Sequence, residues 1–163
     1  MDNGATGVKG VLQSLEVTYF VHATEDQEKV RRAVARLLGR DPDPEVESLE
    51  GHFGNKILRA RVHLTGEDAE PAFGHLVESL PAGVLDQIAS ELGSHLDEHS
   101  AFFVRLDKQS LVSGAVSLGT SDPVRVRVKP RIFLVKGGAA SFYARLMRRR
   151  RRAKEICAPD RRR

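Results

Sequence analysis

The sequence has little of several features that whole classes of protein require. Its 163 residues include one cysteine, Cys157, so an intramolecular disulfide and a four-cysteine zinc site are both excluded. We therefore expect a protein of a reducing compartment, the cytoplasm. The longest apolar runs, such as residues 132–135, are far shorter than the ~20 residues that span a bilayer, and the N-terminus lacks the pattern of a secretory signal. We expect no membrane partner.

Motifs of common catalytic and nucleotide-binding sites are missing as well. The sequence holds no GxSxG, GxGxxG or Walker A motif, and GHFGNK at 51–56 has the wrong spacing for a phosphate-binding loop. His95 and His99 are four residues apart, a spacing that can hold a metal on one helix, so a metal-dependent hydrolase is one hypothesis. The HExxH pattern is absent, however, and we predict no metal site, no cofactor and no catalysis.

Charge is distributed very unevenly along the chain. Residues 1–122 contain 20 acidic and 11 basic residues, a net charge of −9. Residues 123–163 contain 15 basic and 2 acidic residues, a net charge of +13, so the overall charge of +4 conceals two opposite parts. An acidic body with a strongly basic C-terminal quarter is typical of proteins that bind an acidic polymer or a membrane surface, and of the two we expect the acidic polymer.

Hydropathy patterning predicts an α+β fold. Residues 15–23 alternate as a strand does, and Thr24 with Gln27 forms a capping box for a helix that ends at Gly39. Further strands are predicted over 46–50, 57–64, 101–107, 110–118 and 124–135, and further helices over 67–80 and 82–96. The order β-α-β-β-α-α-β-β-β predicts a mostly antiparallel sheet with helices packed on one face.

The same patterns divide the chain into three parts. Residues 1–13 are small and polar, and we expect them to form a flexible leader. Residues 14–137 are expected to fold as a single α+β domain, which suits their length. Residues 138–163 form a basic tail that we expect to be partly helical or disordered.

Alternation along the strands predicts a row of cations on the sheet face opposite the helices. Phe20 and Phe103 fall on the same face, and cations with interleaved aromatic rings can hold a single-stranded backbone while bases stack. Arginines on a strand face also keep a sheet soluble, so a simple solvated face is the alternative. The candidate RNA-contacting residues on the strands are Arg59, Arg61, Phe103, Arg105, Arg125, Arg127, Lys129 and Arg131.

Two polar loops and the tail add further candidates. GHFGNKI at 51–57 and RLDKQ at 105–109 place polar groups beside rigid strands, where recognition residues often lie. Ordinary turn chemistry is the alternative, and it is the favoured interpretation for Asp107 and Asn55. The loop candidates are His52, Asn55, Lys56, Lys108 and Gln109. The tail candidates are Arg148, Arg149, Arg150, Arg151 and Arg152, which we interpret as an RNA affinity arm. A disordered solubilising tail and a membrane-surface segment are the alternatives.

These segments carry a resemblance to a known family. VTYFVHATEDQEKV (17–30), EGHFGNKI (50–57), FFVRLDKQ (102–109) and DPVRVRVK (122–129) are similar in order and spacing to archaeal proteins predicted to be exosome-associated RNA-binding subunits. The resemblance covers roughly residues 14–136 and implies an α+β domain similar to the ribosomal protein that binds 5S rRNA. The matching positions are His22, Glu25, Asp26, Gly51, His52, Gly54, Asn55, Asp107, Lys108 and Gln109. The family implies no catalytic set, and the arginine tail extends beyond it.

Two hypotheses follow for the function. The first is a non-catalytic RNA-binding protein linked to archaeal exosome RNA processing or degradation, which binds RNA through the cationic sheet face and the arginine-rich tail. The alternative is a protein-interaction adaptor whose acidic body docks a ribosomal or exosome subunit. Deleting residues 138–163 distinguishes them, because only the first hypothesis predicts that measurable RNA affinity remains.

Overall fold

The computed structural model describes residues 10–131 and 138–157, and its central element is a five-stranded antiparallel sheet. The strand order across the sheet is β2-β3-β1-β5-β4, so the first strand lies at the centre. The strands are β1 (Leu12–His22), β2 (Glu45–Glu50), β3 (Lys56–Thr65), β4 (Phe102–Leu106) and β5 (Val124–Pro130).

Helices cover one face of this sheet, which confirms the predicted fold class. They are α1 (Gln27–Leu38), α2 (Ala69–Ser79), α3 (Ala82–Ser90), α4 (Lys108–Ser113) and α5 (Gly138–Cys157), with short 3-10 segments at Gly66–Asp68 and Leu92–His95. One hydrophobic core lies between the two layers. In the described ranges no helix combines the length and the apolar character that crossing a membrane requires.

The central strand β1 shows why one face is packed and the other is open. Its β-branched and aromatic residues Val17, Tyr19 and Val21 are buried against the helices, whereas Glu16 and Thr18 on the other side are only half-buried. Because side chains alternate along a strand, β3, β4 and β5 continue this division, whereas the edge strand β2 is largely exposed on both sides. We call the side that faces away from the helices the open face.

Helix α1 confirms the predicted strand-to-helix start, but its N-cap lies two residues later than expected. The Asp26 carboxylate accepts hydrogen bonds from the backbone N–H groups of Glu28 (2.9 Å) and Lys29 (3.3 Å), so Asp26 takes the role expected of Thr24. The helix ends at Gly39, whose φ of 68° is left-handed, as the sequence predicts.

The prediction of a strand over 110–118 is wrong, because the first residues of this segment belong to helix α4. The Asp107 carboxylate accepts hydrogen bonds from the backbone N–H (2.8 Å) and the hydroxyl (2.7 Å) of Ser110 and so caps the helix. Gly114, with a φ of 93°, ends it after six residues. Among the described residues only an isolated bridge from Leu118 to Leu106 is strand-like here. The described order is therefore β-α-β-β-α-α-β-α-β-α.

The other predicted elements lie close to their expected positions. The helix expected over 82–96 is divided at Glu91 into α3 and a 3-10 segment. Strand β5 ends at Pro130, which cannot donate a ladder hydrogen bond, and the predicted continuation over 132–135 lies outside the described residues. The predicted leader lies mostly outside them too, although β1 already begins at Leu12.

Helix α5 packs its first half into the core. Tyr143 is fully buried, and its hydroxyl donates to the backbone oxygens of Ser100 (3.1 Å) and Val128 (3.2 Å). Leu146 and Met147 are buried on the same side of the helix. The start of the basic segment is thus anchored behind the sheet by aromatic and aliphatic contacts.

Candidate nucleic-acid interface

Strand register places three arginines in one row across the open face. Arg61 of β3 pairs with Thr18 of β1, Thr18 pairs with Arg125 of β5, and Arg125 pairs with Arg105 of β4. Neighbouring strands lie about 4.8 Å apart, so the row extends over about 14 Å. We call Arg61, Arg105 and Arg125 the arginine row. These residues come from three strands that are distant in sequence, and hydrogen-bonded register alone aligns them.

A second row next to it mixes charge with an aromatic ring. His63, Glu16, Arg127 and Phe103 are successive partners across the same four strands. Glu16 lies 3.7 Å from His63 Nδ1 and 4.0 Å from Arg61 Nε. This carboxylate partly neutralises the centre of the face, and sequence reasoning did not select it because it looked only for cations.

Arg127 is held by an acidic residue from a loop. Its guanidinium donates to the Asp97 carboxylate at 2.6 Å. Burial raises the pKa of Asp97, but hydrogen bonds from Arg127 and from the backbone N–H groups of Ala101 and His99 outweigh it, so the net pKa lies below the usual value. Asp97 is therefore ionised at neutral pH, and Arg127 offers less free charge than its position on the strand suggests.

The two rows border a concave depression of about 450 Å³ on the open face. Phe20 and Phe103 lie at diagonal corners of it, because they belong to different rows and to strands two positions apart in the sheet. The lining residues are Glu16, Thr18, Phe20, Arg59, Arg61, Phe103, Val104, Arg105, Arg125, Val126 and Arg127. Cations and aromatic rings thus share one concave surface, as predicted for the strands.

Several cations of the open face have no acidic partner among the residues that the structure describes. Arg59 pairs with Glu47 of the neighbouring edge strand. Arg105, Arg125 and Lys129, by contrast, form no ion pair with any acidic residue in the described parts of the chain. Like charges at adjacent positions of a sheet repel each other, so this side of the face gains stability when an anion binds.

Arg131 follows the end of β5 and has a local role. Its backbone N–H donates to Val11 O (2.9 Å), and its Nε donates to Gly10 O (2.7 Å). These contacts hold the beginning of β1 against the end of β5. Arg131 remains exposed, but it lies at the margin of the sheet, outside the depression.

The loop between β2 and β3 presents its residues separately from the depression. His52 and Asn55 are exposed in this loop, and Lys56 is exposed at the start of β3. Along β3, Lys56 lies on the same side as the helix-facing residues Leu58 and Ala60, so it does not join Arg59 on the open face. Phe53 beside them is 91% exposed and lies 5.0 Å, ring to ring, from His52. Sequence reasoning missed Phe53, because its exposure depends on the hairpin conformation.

Lys108 is not available to RNA, which contradicts its prediction as a contact residue. It is 1% exposed, and its ammonium donates to Phe20 O (2.8 Å), to the Glu25 carboxylate (2.8 Å) and to the Asp122 carboxylate. Gln109 donates from Nε2 to the other oxygen of Glu25 at 3.0 Å. Both residues therefore tie α4 to the turn between β1 and α1, and Lys108 also ties it to β1 itself.

Three of the four resemblance motifs, at 17–30, 102–109 and 122–129, thus meet in one internal ion cluster, which we define as His22, Glu25, Lys108 and Asp122. His22 Nε2 lies 3.1 Å from the Asp122 carboxylate, and His22, Glu25 and Asp122 offer ligand atoms within 4.8 Å of one another. A metal ion could use such a set, but the Lys108 ammonium already bonds to both carboxylates. The Lys108 ammonium is therefore the cation that pairs with both carboxylates of this cluster.

The two histidines of the metal hypothesis do not share a helix. His95 ends the 3-10 segment, and its Nδ1 donates to Phe103 O at 3.0 Å. His99 follows in an exposed turn, where it lies 3.5 Å from Glu98. The i, i+4 geometry on which that hypothesis depends is therefore wrong.

Comparison with known proteins assigns the family. The family model described as RNA binding matches residues 14–130, a range that includes the open face and the internal ion cluster. The chain belongs to this RNA-binding family.

Three proteins that are similar to this RNA-binding family member come from archaea. The chain is 31% identical over 143 residues to RNA-binding protein PAB1135 of Pyrococcus abyssi, covering 78% of this chain and 88% of that protein. It is 30% identical over 122 residues to the uncharacterized protein MJ0213 of Methanocaldococcus jannaschii, covering 70% and 80%. The crystal structure of protein AF2318 from Archaeoglobus fulgidus superposes with a TM-score of 0.71 at 30% identity, covering 83% and 99%.

The RNA-binding family match ends before helix α5, which carries the five consecutive arginines 148–152. Arg150 pairs with Glu70 of α2 at 3.5 Å, and Arg151 pairs with Asp86 of α3 at 3.3 Å. Four of the exposed arginines lie at i, i+3, i+4 and i+7 on one side of the helix: Arg145, Arg148, Arg149 and Arg152. We call these four residues the α5 stripe. The predicted tail contacts are therefore separate from the open face.

Proposed function

We propose that single-stranded RNA binds the open face, with its phosphates at the arginine row and its bases stacked on the flanking aromatic rings. The observation that carries this proposal is the alignment of Arg61, Arg125 and Arg105 across neighbouring strands. Guanidinium groups bind phosphates through paired, charge-assisted hydrogen bonds. A row of them, two of which have no acidic partner among the described residues, supplies affinity without sequence selectivity.

Aromatic stacking adds to this electrostatic attraction. Phe103 is half-exposed beside the depression, and the guanidinium of Arg105 lies 5.8 Å from the centre of its ring. A nucleobase can stack on such a ring whatever its identity, because every base has a π-face. Phosphate binding at Arg105 and base stacking at Phe103 therefore act on adjacent groups of one nucleotide strand.

We further propose that this binding is non-catalytic, takes place in the cytoplasm and serves RNA processing or degradation by the archaeal exosome. The resemblance of the motifs at 17–30, 50–57 and 102–109 supports this part, as does the implied similarity to the ribosomal protein that binds 5S rRNA. Purification of the tagged chain from native archaeal extract tests the link. Exosome subunits are expected to co-purify, and their absence from repeated purifications contradicts it.

Replacing Phe103 by alanine is expected to weaken RNA binding about tenfold, because loss of one base–aromatic stack costs about 1–3 kcal/mol. The measurement is the affinity for a short oligouridine in a chain that also carries Arg148→Gln, Arg149→Gln and Arg152→Gln, so that α5 contributes little. We call this background the stripe variant. Phe103→Tyr keeps the ring and is the matched control, expected to bind normally. Equal affinity of the alanine and tyrosine variants contradicts stacking at this position.

Ultraviolet crosslinking in native extract locates the surface directly. Crosslinked peptides are expected from β3, β4 and β5, with Phe103 among the modified residues, because stacked aromatic side chains lie against the bases. Peptides of α1, which lies in the helix layer, serve as the internal control. Crosslinks confined to the helix layer contradict the proposed surface, and sequencing of the recovered RNA identifies the ligand.

A further inference from the structure

The α5 stripe and the open face lie on opposite sides of the molecule. Neighbouring residues of β4 show this directly, because Phe102 is buried on the helix side while Phe103 faces the depression. Tyr143 of α5 packs against Phe102 with a ring separation of 5.4 Å. Helix α5 therefore belongs to the layer behind the sheet.

Close contacts fix α5 in this position. The Arg150 guanidinium lies against α2 at Gly74, where a Cβ would stand 3.1 Å from it, and it also pairs with Glu70. Together with the buried Tyr143, these contacts anchor the middle of the helix. The arginines of the α5 stripe therefore cannot reach the open face unless these contacts break.

The α5 stripe itself has the properties of an anion-binding surface. Among the described residues, Arg145 and Arg148 donate to backbone oxygens of their own helix, at 3.4 and 3.3 Å. Arg149 and Arg152 have no acidic partner among the side chains of residues 10–131 and 138–152. Four like charges at i, i+3 and i+4 spacings destabilise a helix unless an anion lies over them. A phosphate backbone is the ligand with matching repeated charge.

We propose that one molecule binds two RNA segments at once, one on the open face and one on the α5 stripe, and so bridges them. The inference rests on the proposed function of the open face and extends it. A helix is about 10 Å in diameter and lies about 10 Å from the sheet, so roughly 20 Å of protein separates the two surfaces. A short oligonucleotide therefore occupies one surface or the other, whereas a long RNA or two RNAs occupy both.

The test uses two non-complementary oligouridine-rich RNAs of about 8 nucleotides, one with a donor fluorophore and one with an acceptor. The full chain is expected to form a complex of one protein and two RNAs in sedimentation velocity, with energy transfer between the labels. The stripe variant, in which Arg150 and Arg151 keep their contacts, is expected to bind one RNA and lose energy transfer. Arg61→Gln, Arg105→Gln and Arg125→Gln together are expected to give the same result through the other surface.

Several outcomes overturn the inference. These are saturation of the full chain at one RNA per protein, energy transfer only in complexes with two protein copies, or unchanged bridging by the stripe variant. A failure of the proposed function looks different, because the single RNA is then kept by the Arg61, Arg105 and Arg125 variant and lost by the stripe variant. If only the inference fails, the single RNA is kept by the stripe variant and lost by the Arg61, Arg105 and Arg125 variant. Circular dichroism and thermal unfolding of each variant confirm that the helices and the fold are retained.

Discussion

Replacing Arg61, Arg105 and Arg125 together by glutamine in the stripe variant is expected to weaken binding of single-stranded RNA at least 100-fold. Each hydrogen-bonded contact between a guanidinium and a phosphate contributes about 1.5 kcal/mol, close to tenfold in affinity, and the three are not fully additive. The slope of log affinity against log salt is negative, and its magnitude is expected to decrease by about 2, because about 0.7 counterions are released per phosphate neutralised. Fluorescence anisotropy over a salt series measures both quantities.

The matched control is a variant that loses three positive charges from the helix side of the molecule instead of the open face. Lys29, Arg32 and Arg40 lie in or next to α1, and all three are exposed. Replacing them by glutamine is expected to change affinity less than threefold, since only the long-range field changes. Equal losses in both variants contradict a localised site. Unchanged binding in the arginine-row variant favours the adaptor hypothesis, in which the acidic body docks a protein.

Replacing Lys108 by methionine is expected to lower the free energy of unfolding by about 3 kcal/mol. Removing one partner of a buried ion pair leaves an uncompensated charge, which typically costs about 3–5 kcal/mol. Here the side chains of Glu25 and Asp122 are 15% and 34% exposed, so solvent compensates part of the loss at Asp122. Urea unfolding followed by circular dichroism measures the change.

Lys129→Met is the matched control for this prediction. Lys129 is exposed on β5 and has no acidic partner among the described residues, so its replacement is expected to change stability by less than 0.5 kcal/mol. Folded Lys108→Met protein is expected to bind RNA normally, because Lys108 does not reach the surface. Weakened RNA binding together with unchanged stability would falsify the internal role of Lys108 and restore it as a contact.

Local patterns predicted much of the fold. The strand at 15–23 and the end of helix α1 at Gly39 could be predicted, because side-chain alternation and the backbone freedom of glycine are properties of a few consecutive residues. The same rule failed over 110–118, where an alternating apolar pattern is compatible with a short helix and the Asp107 cap decides between them. Competing local signals of similar strength cannot be resolved without their tertiary partners.

Residue type did not predict which polar groups are exposed. Lys108 and Lys129 are both lysines beside strands, yet Lys108 is enclosed by Glu25 and Asp122, which are distant in sequence. A buried ammonium is stable only where such acceptors converge, and convergence depends on how the chain folds. The RLDKQ motif, a resemblance signal in the sequence, is therefore an element of the fold here.

The sequence by itself determined that strands with alternating arginines and a run of five arginines occur in this chain, because these facts depend only on residue order. Tertiary structure alone decided where those charges lie. Strand register aligns Arg61, Arg125 and Arg105 into a row, and the burial of Tyr143 fixes the α5 stripe on the opposite side. The physical reason is that register and helix docking are set by long-range hydrogen bonds and core packing, which no local pattern encodes.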